Sequence, residues 1–96
     1  MRRKLPLKAI EENLRSMKDW ELSDGQLKKE FLVGDFVAAL RFVNTVGGLA
    51  EEADHHPDIL IQYNRVTFYL VTHSAGGITE TDFLLARQID AAAHVG

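Results

Sequence analysis

Three of the four histidines lie close to acidic residues in an order that suits acid–base chemistry. Glu51 and Asp54 precede the adjacent pair His55-His56, and His73 follows further along the chain. Imidazoles titrate near neutral pH, so two or three of them facing one cleft can act as general acid and general base. Nearby carboxylates can fix the tautomers of such rings. These residues are therefore candidates for acid–base catalysis.

Three histidines can also hold zinc, because three nitrogens and a water make a catalytic zinc site. The chain has no cysteine, which excludes Cys-based zinc sites, disulfides and a thiolate nucleophile. It also lacks a glycine-rich phosphate loop that opens a helix. We therefore expect neither a metal nor a cofactor, and a measurement of bound metal in purified protein would decide the zinc alternative.

Composition limits the classes of partner. The 96 residues predict one domain, 1–96, and their net charge of -3 argues against a nucleic-acid surface. The basic run Arg2-Arg3-Lys4 is expected to be a solvated terminus. Neither a secretory signal nor an apolar run of the roughly 18 residues that a membrane span needs is present. We expect a cytoplasmic protein without a membrane partner.

The first half of the chain predicts a helix, a hairpin and a long helix. Apolar residues recur at helical spacing over 6–17, and Asp24-Gly25 is typical of the tight turn between two strands. Asp35 is a suitable N-cap for a helix that continues to about Ala53. Gly47-Gly48 inside this helix favours a close approach to the sheet or to a second subunit over a break in the helix.

The second half predicts two strands and a last helix. Apolar and polar residues alternate on both sides of Asn64, with Tyr63 expected to pack within the sheet. Thr79 and Asp82 have the spacing of a capping box ahead of the final helix, where His94 is expected as a solvated cation in the last turn. The order α-β-β-α-β-β-α favours an α+β fold with the helices on one face of the sheet.

These elements place the chemical residues at two points. Glu51 falls in the last turn of the long helix, and Pro57 stops helical continuation just after the histidine pair. His73 is expected to end the last strand. A sheet can bring that end to the mouth of the loop that holds His55-His56.

The spacing of these residues also resembles that of a known family. Glu51 is followed, after three residues, by His55-His56-Pro57. Gaps of five, nine and eight residues then lead in turn to Tyr63, His73 and Asp82. This pattern is similar to that of the pterin-4a-carbinolamine dehydratases. Further matching segments are Trp20, 31–36, Ala50-Glu51, 64–66, Thr72-His73 and 76–79. The resemblance extends from about Trp20 to Ile89.

The resemblance implies a four-stranded antiparallel sheet and assembly into homodimers or homotetramers. It implies a hydro-lyase reaction in which 4a-hydroxytetrahydropterin loses water and becomes a quinonoid dihydropterin. The pterin is then recycled for aromatic amino acid hydroxylases, which implies a functional link to such an enzyme.

The resemblance also assigns residues. His55, His56 and His73 would be catalytic. Because hydroxide is a poor leaving group and an imidazolium must protonate it, we assign His56 as the acid and leave the base and positioning roles to His55 and His73. The substrate-binding residues would be His55, His56, Pro57, Thr72, His73, Ser74 and Ala75. Glu51, Asp54 and Asp82 would support them, although Asp82 has a competing structural role as a helix cap.

A second hypothesis is a protein-interaction module, because vertebrate relatives also act as dimerisation cofactors of a homeodomain transcription factor. Retention of all three histidines favours the enzyme. Turnover of 4a-hydroxytetrahydropterin would discriminate between the two.

Overall fold

The computed structural model describes residues 2–95, with side chains as far as Ala93. The predicted element order is confirmed. In chain order the elements are α1 (Leu7–Arg15), β1 (Glu21–Ser23), β2 (Gln26–Leu32), α2 (Phe36–Ala53), β3 (Asp58–Gln62), β4 (Arg65–Leu70), a 3-10 turn (His73–Ala75) and α3 (Glu80–Val95). The side chain of His94, expected as a solvated cation, lies outside the described residues. No helix within residues 2–95 combines the length and apolar content needed to cross a membrane.

The four strands form one antiparallel sheet in the order β1-β2-β4-β3. The central pair joins β2 to β4, with Leu27 opposite Leu70 and Phe31 opposite Val66. Asp24 and Gly25 connect β1 to β2 with φ of 50° and 76°. Positive φ at both positions is what a two-residue hairpin turn requires, so the predicted hairpin is confirmed.

Tyr63 does not pack within the sheet, and that expectation is wrong. It lies in the turn between β3 and β4, with a φ of 54° and 66% of its surface exposed. A residue in a two-residue connection projects beyond the last strand pair, Gln62 with Arg65, and so has no neighbouring strand to cover it.

Helix α2 begins and ends with aspartates. Asp35 accepts a hydrogen bond from Ala38 N at 2.8 Å, as its N-cap assignment predicted. Asp54 ends the helix in a left-handed conformation with φ 50°. The helix is continuous through Gly47-Gly48, and a Cβ added at either glycine would meet nothing within 4 Å. The prediction that the helix does not break here is confirmed. Of the two close approaches expected, the one to the sheet is wrong, because that side of the helix faces open space in the described chain, and the one to a second subunit stays a prediction.

The core lies between one face of the sheet and the three helices. Its residues from β4 are Val66, Phe68 and Leu70, all fully buried. Phe31 and Phe42 stack edge-on against Phe68 and each other at centroid distances of 5.1–5.7 Å. This packing fixes α2 on the sheet and therefore fixes where its carboxyl end delivers the histidine pair.

Candidate active site

The carboxyl end of α2 sets the direction in which His55 and His56 leave the helix. Asp54 N donates to Glu51 O at 3.2 Å and His55 N donates to Ala50 O at 3.1 Å, so the turn closes back on the helix. The left-handed conformation of Asp54 is a common way to end a helix. The two adjacent rings therefore project from an ordered exit.

His73 lies on a closed loop beyond β4. The strand ends at Leu70, so the prediction that His73 ends the strand is wrong, and His73 instead opens the 3-10 turn. Thr72 N donates to Gly77 O at 3.0 Å, and Gly77 N donates back to Thr72 O at 3.3 Å. This pairing closes the loop on itself.

The β3–β4 hairpin brings the two histidine segments together. Its outermost pair is Asp58 with Tyr69, so the residues just before β3 and just after β4 leave the same end of the hairpin. They meet at a cleft of about 280 Å³. The cleft is lined by Arg2, Asp54, His55, His56, Val71, Thr72, His73 and Ser74.

Most of the residues assigned from the sequence lie at this cleft. The three histidines, Asp54, Thr72 and Ser74 line it, whereas Pro57 and Ala75 are half-buried and do not. Glu51 and Asp82 do not line it either, but each contacts one of its histidines. Six of the residues assigned from the sequence therefore lie at this cleft, and two more contact its histidines.

His55 is buried and held by an equally buried carboxylate. Its Nε2 atom donates to Asp82 Oδ1, and the ring is only 6% exposed. Asp82 Oδ2 accepts from Thr72 Oγ1 at 2.8 Å and from Thr79 N at 2.9 Å. The fully buried carboxylate is thus satisfied by three donors, as burial of a charge requires.

The same network contains the predicted capping box. Thr81 N donates to Thr79 Oγ1 at 3.2 Å, while Thr79 N donates to Asp82. Thr79 Oγ1 also lies 2.8 Å from Thr72 Oγ1, and donation from Thr79 leaves the Thr72 hydroxyl hydrogen for Asp82. Asp82 therefore caps α3 and orients His55, so its two proposed roles are compatible.

His56 is exposed and paired with an exposed carboxylate. Its Nε2 atom lies 2.5 Å from Glu51 Oε2, and the side chains are 57% and 77% exposed. Glu51 lies one turn back along α2, so the pair is local. Solvent can reach this histidine, in contrast to His55.

These two contacts define which ring atoms are left for chemistry. Both His55 and His56 present Nε2 to a carboxylate, so in a neutral ring the hydrogen sits on Nε2 and Nδ1 keeps its lone pair. The ring of His73 is exposed and makes no hydrogen bond to any other residue within 2–93, although its backbone carbonyl accepts one from Gly76 N. The cleft thus has rings that can accept or donate a proton.

Arg2 is a lining residue that the sequence did not reveal. Its Nη2 atom donates to Ala53 O at 3.1 Å and to Asp54 O at 2.6 Å. The expectation that the basic run is merely solvated is wrong for Arg2. A short run of charges has no periodicity, so its sequence carried no signal of where it lies.

A larger cavity of about 310 Å³ lies elsewhere, between the end of β2, α2 and α3. It is lined by Leu32, Val33, Gly34, Ala38, Arg41, Phe42, Thr45, Ala92 and Ala93. Among the described residues, its lining includes no histidine and no carboxylate, so these residues do not supply acid–base chemistry. The smaller cleft is therefore the candidate site.

The side chains of the cleft are also candidates for a metal site, because three histidines can hold zinc. Within the part of the chain that the structure describes, no group of three or more histidine, aspartate or glutamate side chains is arranged to hold a metal ion. In the cleft, two of the three imidazoles direct Nε2 to a carboxylate.

Comparisons with known proteins agree on one family. The model described as Pterin 4 alpha carbinolamine dehydratase matches residues 3–92. A provisionally named pterin-4-alpha-carbinolamine dehydratase of Acidobacterium capsulatum is 55% identical over 84 residues, covering 88% of this chain and 91% of the relative. One from Sulfurisphaera tokodaii, also provisionally named, is 47% identical over 88 residues, covering 92% and 95%.

Two solved structures share the fold. The transcriptional coactivator/pterin dehydratase of Brucella melitensis has a TM-score of 0.89 and 37% identity, covering 94% of this chain and 98% of its own. A pterin dehydratase-like protein identified as a RuBisCO assembly factor in the alpha-carboxysome has a TM-score of 0.67 and 25% identity, covering 80% and 92%. The same fold is therefore found in proteins with different stated roles.

Proposed function

Because this chain belongs to the pterin-4-alpha-carbinolamine dehydratase family, we propose that it removes water from 4a-hydroxytetrahydropterin. The product is a quinonoid dihydropterin. One observation carries the proposal: three histidines share one cleft, and carboxylates hold two of them. The cleft of about 280 Å³ is close to the lower end of the usual size range for small-molecule sites.

In the proposed reaction, the bond between C4a and its hydroxyl oxygen breaks. Hydroxide is a poor leaving group, so a protonated imidazole must supply a proton and release the oxygen as water. We assign this role to His56. Its position on the cleft and its Glu51 partner support the assignment, because a carboxylate stabilises an imidazolium.

The second proton leaves N5 of the pterin as the double bond to C4a forms. A neutral imidazole must accept it. His55 and His73 share this role and the positioning of the pterin. His55 suits positioning because Asp82 and burial fix its ring, whereas His73 has no such constraint among the described residues.

Around this ring chemistry, Thr72 and Ser74 line the cleft and contact the substrate, with Pro57 and Ala75 beside them. Glu51, Asp54 and Asp82 support the histidines. The protein acts as a homodimer or homotetramer in the cytoplasm, without metal or cofactor. It returns pterin to an aromatic amino acid hydroxylase.

A second function is an interaction module. The Brucella melitensis structure carries the words transcriptional coactivator in its name, and another structural relative is described as an assembly factor. The three histidines on one cleft favour the enzyme for this chain, because surface binding alone does not need them.

The decisive experiment is turnover of enzymatically generated 4a-hydroxytetrahydropterin, with the spontaneous rate subtracted. We expect saturable acceleration that survives dialysis against a chelator. No acceleration by folded protein would favour the interaction module. Loss of activity on dialysis that added zinc restores would assign the histidines to a metal site.

A further inference from the structure

The segment Arg2–Leu5 lies across both loops that carry the histidines. Leu5 N donates to Ile78 O at 2.8 Å. A Cβ added at Gly77 would lie 3.0–3.2 Å from the aliphatic carbons of Lys4, so the Lys4 stem covers this glycine closely. Lys4 and Leu5 therefore hold the segment to the end of the loop that carries His73. Arg2, at the other end of the segment, contacts the residues just before the histidine pair.

Arg2 contacts the end of α2 at the point where the histidine pair begins. The last carbonyl groups of a helix lack partners within the helix and carry partial negative charge. The guanidinium satisfies two of them, Ala53 O at 3.1 Å and Asp54 O at 2.6 Å. Asp54 directly precedes His55, so these bonds act on the peptide from which both rings project.

We propose that Arg2 is a positioning residue for the histidine pair, acting through the carbonyl groups of Ala53 and Asp54. The proposal rests on the proposed dehydratase function, and it adds a residue outside the histidine and carboxylate set. Arg2 also lines the cleft itself, so it bounds the space in which the pterin ring would lie.

The expected effect is on rate more than on stability. A displacement of about 1 Å at a reacting group can lower a rate by about 10²-fold. Arg2 is exposed, so its bonds to the carbonyls are partly replaced by water when it is removed. We therefore expect Arg2→Ala to lower kcat/KM by about 5- to 20-fold, with most of the fall in kcat.

The test compares Arg2→Ala, Arg2→Lys and Arg3→Ala in the dehydration assay. Arg3 is the matched control, because it is exposed and makes no hydrogen bond to any other described residue. We expect Arg3→Ala to match the wild type and Arg2→Lys to recover part of the loss, since an ammonium can still donate to the two carbonyls. Equal kcat/KM for Arg2→Ala and Arg3→Ala would overturn the proposal. A loss explained by a lowered Tm alone would also overturn it.

Amide hydrogen exchange separates this proposal from the proposed function. The N–H groups of Asp54 and His55 bond to Glu51 O and Ala50 O in the helix exit. Without substrate, we expect these two amides to exchange at least about threefold faster in Arg2→Ala than in Arg3→Ala. Unchanged exchange would overturn the positioning role even if the wild type proved inactive as a dehydratase.

Discussion

Two adjacent histidines have opposite environments. His55 is buried and its Nε2 atom faces a fully buried carboxylate, while His56 is exposed beside an exposed one. The buried ring is fixed by several partners. The exposed ring can exchange its proton with solvent between turnovers, which an acid must do in every catalytic cycle.

Replacement of the proposed acid should affect kcat most strongly. We expect His56→Ala to lower kcat by about 10²–10⁴-fold, the usual effect of losing a general acid. His55→Ala and His73→Ala should each lower kcat/KM by an amount that corresponds to a loss of about 1–3 kcal/mol in transition-state stabilisation, because each removes one buried or substrate-facing hydrogen bond. Steady-state dehydration kinetics with circular dichroism as a folding check make the comparison.

The double variant His55→Ala/His73→Ala tests whether the two histidines contribute to catalysis independently of each other. We expect its loss to differ from the sum of the single losses, since residues acting on one ring couple. Wild-type kcat in folded His56→Ala would remove the acid assignment. Wild-type kcat in all three single variants would remove the site.

The partner of His56 has a matched neighbour in the sequence. Glu51 pairs with His56, whereas the exposed Glu52 makes no side-chain hydrogen bond or ion pair with any other described residue. Exposed pairs contribute up to about 1 kcal/mol, so we expect Glu51→Gln to lower kcat by up to roughly fivefold. Glu52→Gln should leave kcat unchanged, and equal effects from both would show that the pairing is irrelevant to rate.

At the scale of single residues, the features that could be predicted from the sequence are those that depend only on residue type and spacing. The three histidines and the two carboxylates that contact His55 and His56 were identified before any geometry was known. The Arg2 contact depends on where an irregular segment lies, which no periodicity specifies. The dual bonding of Asp82 needed the position of Thr72, ten residues away.

At the scale of elements, Asp82 connects three parts of the fold. It caps α3, accepts a hydrogen bond from the loop after β4 through Thr72, and holds the segment after α2 through His55. A displacement of any one part must therefore disturb the other two.

This connection should be visible in stability. Asp82→Asn puts an amide nitrogen where a buried donor needs an acceptor, and we expect the free energy of unfolding to fall by about 1–3 kcal/mol. Glu80→Gln is the matched control, because Glu80 is an exposed acid in the same first turn. Its effect should not exceed about 0.3–1 kcal/mol. Urea denaturation measures both, and equal losses would contradict the role of the buried network.

Gly48 in α2 and Gly25 in the turn between β1 and β2 allow a test with an internal control. A Cβ at Gly48 meets nothing within 4 Å and the backbone is helical, so Gly48→Ala should raise the free energy of unfolding by about 0.5–1 kcal/mol. Gly25 also has open space but a φ of 76°, so Gly25→Ala should destabilise by more than that gain. Thermal unfolding measures both. A loss of stability at Gly48 that depended on protein concentration would place a second subunit against this side of α2.

The elements themselves were largely predictable, and the exceptions have local causes. The hairpin at Asp24-Gly25 and the caps at Asp35 and Thr79 are encoded within a few residues. Tyr63 was misplaced because its alternation with Ile61 matched a strand, although the turn already begins there. The strand end before His73 depends on the pairing of Thr72 with Gly77, which alternation cannot predict.

At the scale of the whole molecule, the sheet is incompletely covered along one edge. Strand β1 pairs only from Glu21 with Lys28 to Ser23 with Gln26. Beyond Lys28, the outer edge of β2 has no partner strand among residues 2–95, and Leu32 at its end is 74% exposed. Unpaired backbone groups at an edge are available to another copy of the chain.

We therefore expect at least a dimer in solution. With 96 residues the chain can build only a modest core, and a symmetric partner would cover more of its surface. Light scattering at micromolar concentration should give a mass at least twice 10.8 kDa. A mass of one chain over the whole concentration range would contradict the homodimer and homotetramer.

The β3–β4 hairpin and the central β2–β4 pairing should form at different times during folding. Its strands are joined by two residues, and hairpins of this kind form in about 1–10 μs. The central pairing of β2 with β4 must instead close a loop that contains all of α2, and such non-local pairing is slow. The segments bearing His55 and His73 can therefore meet before the core exists. Burial of His55, which needs α3 and Asp82, must wait for the slower step.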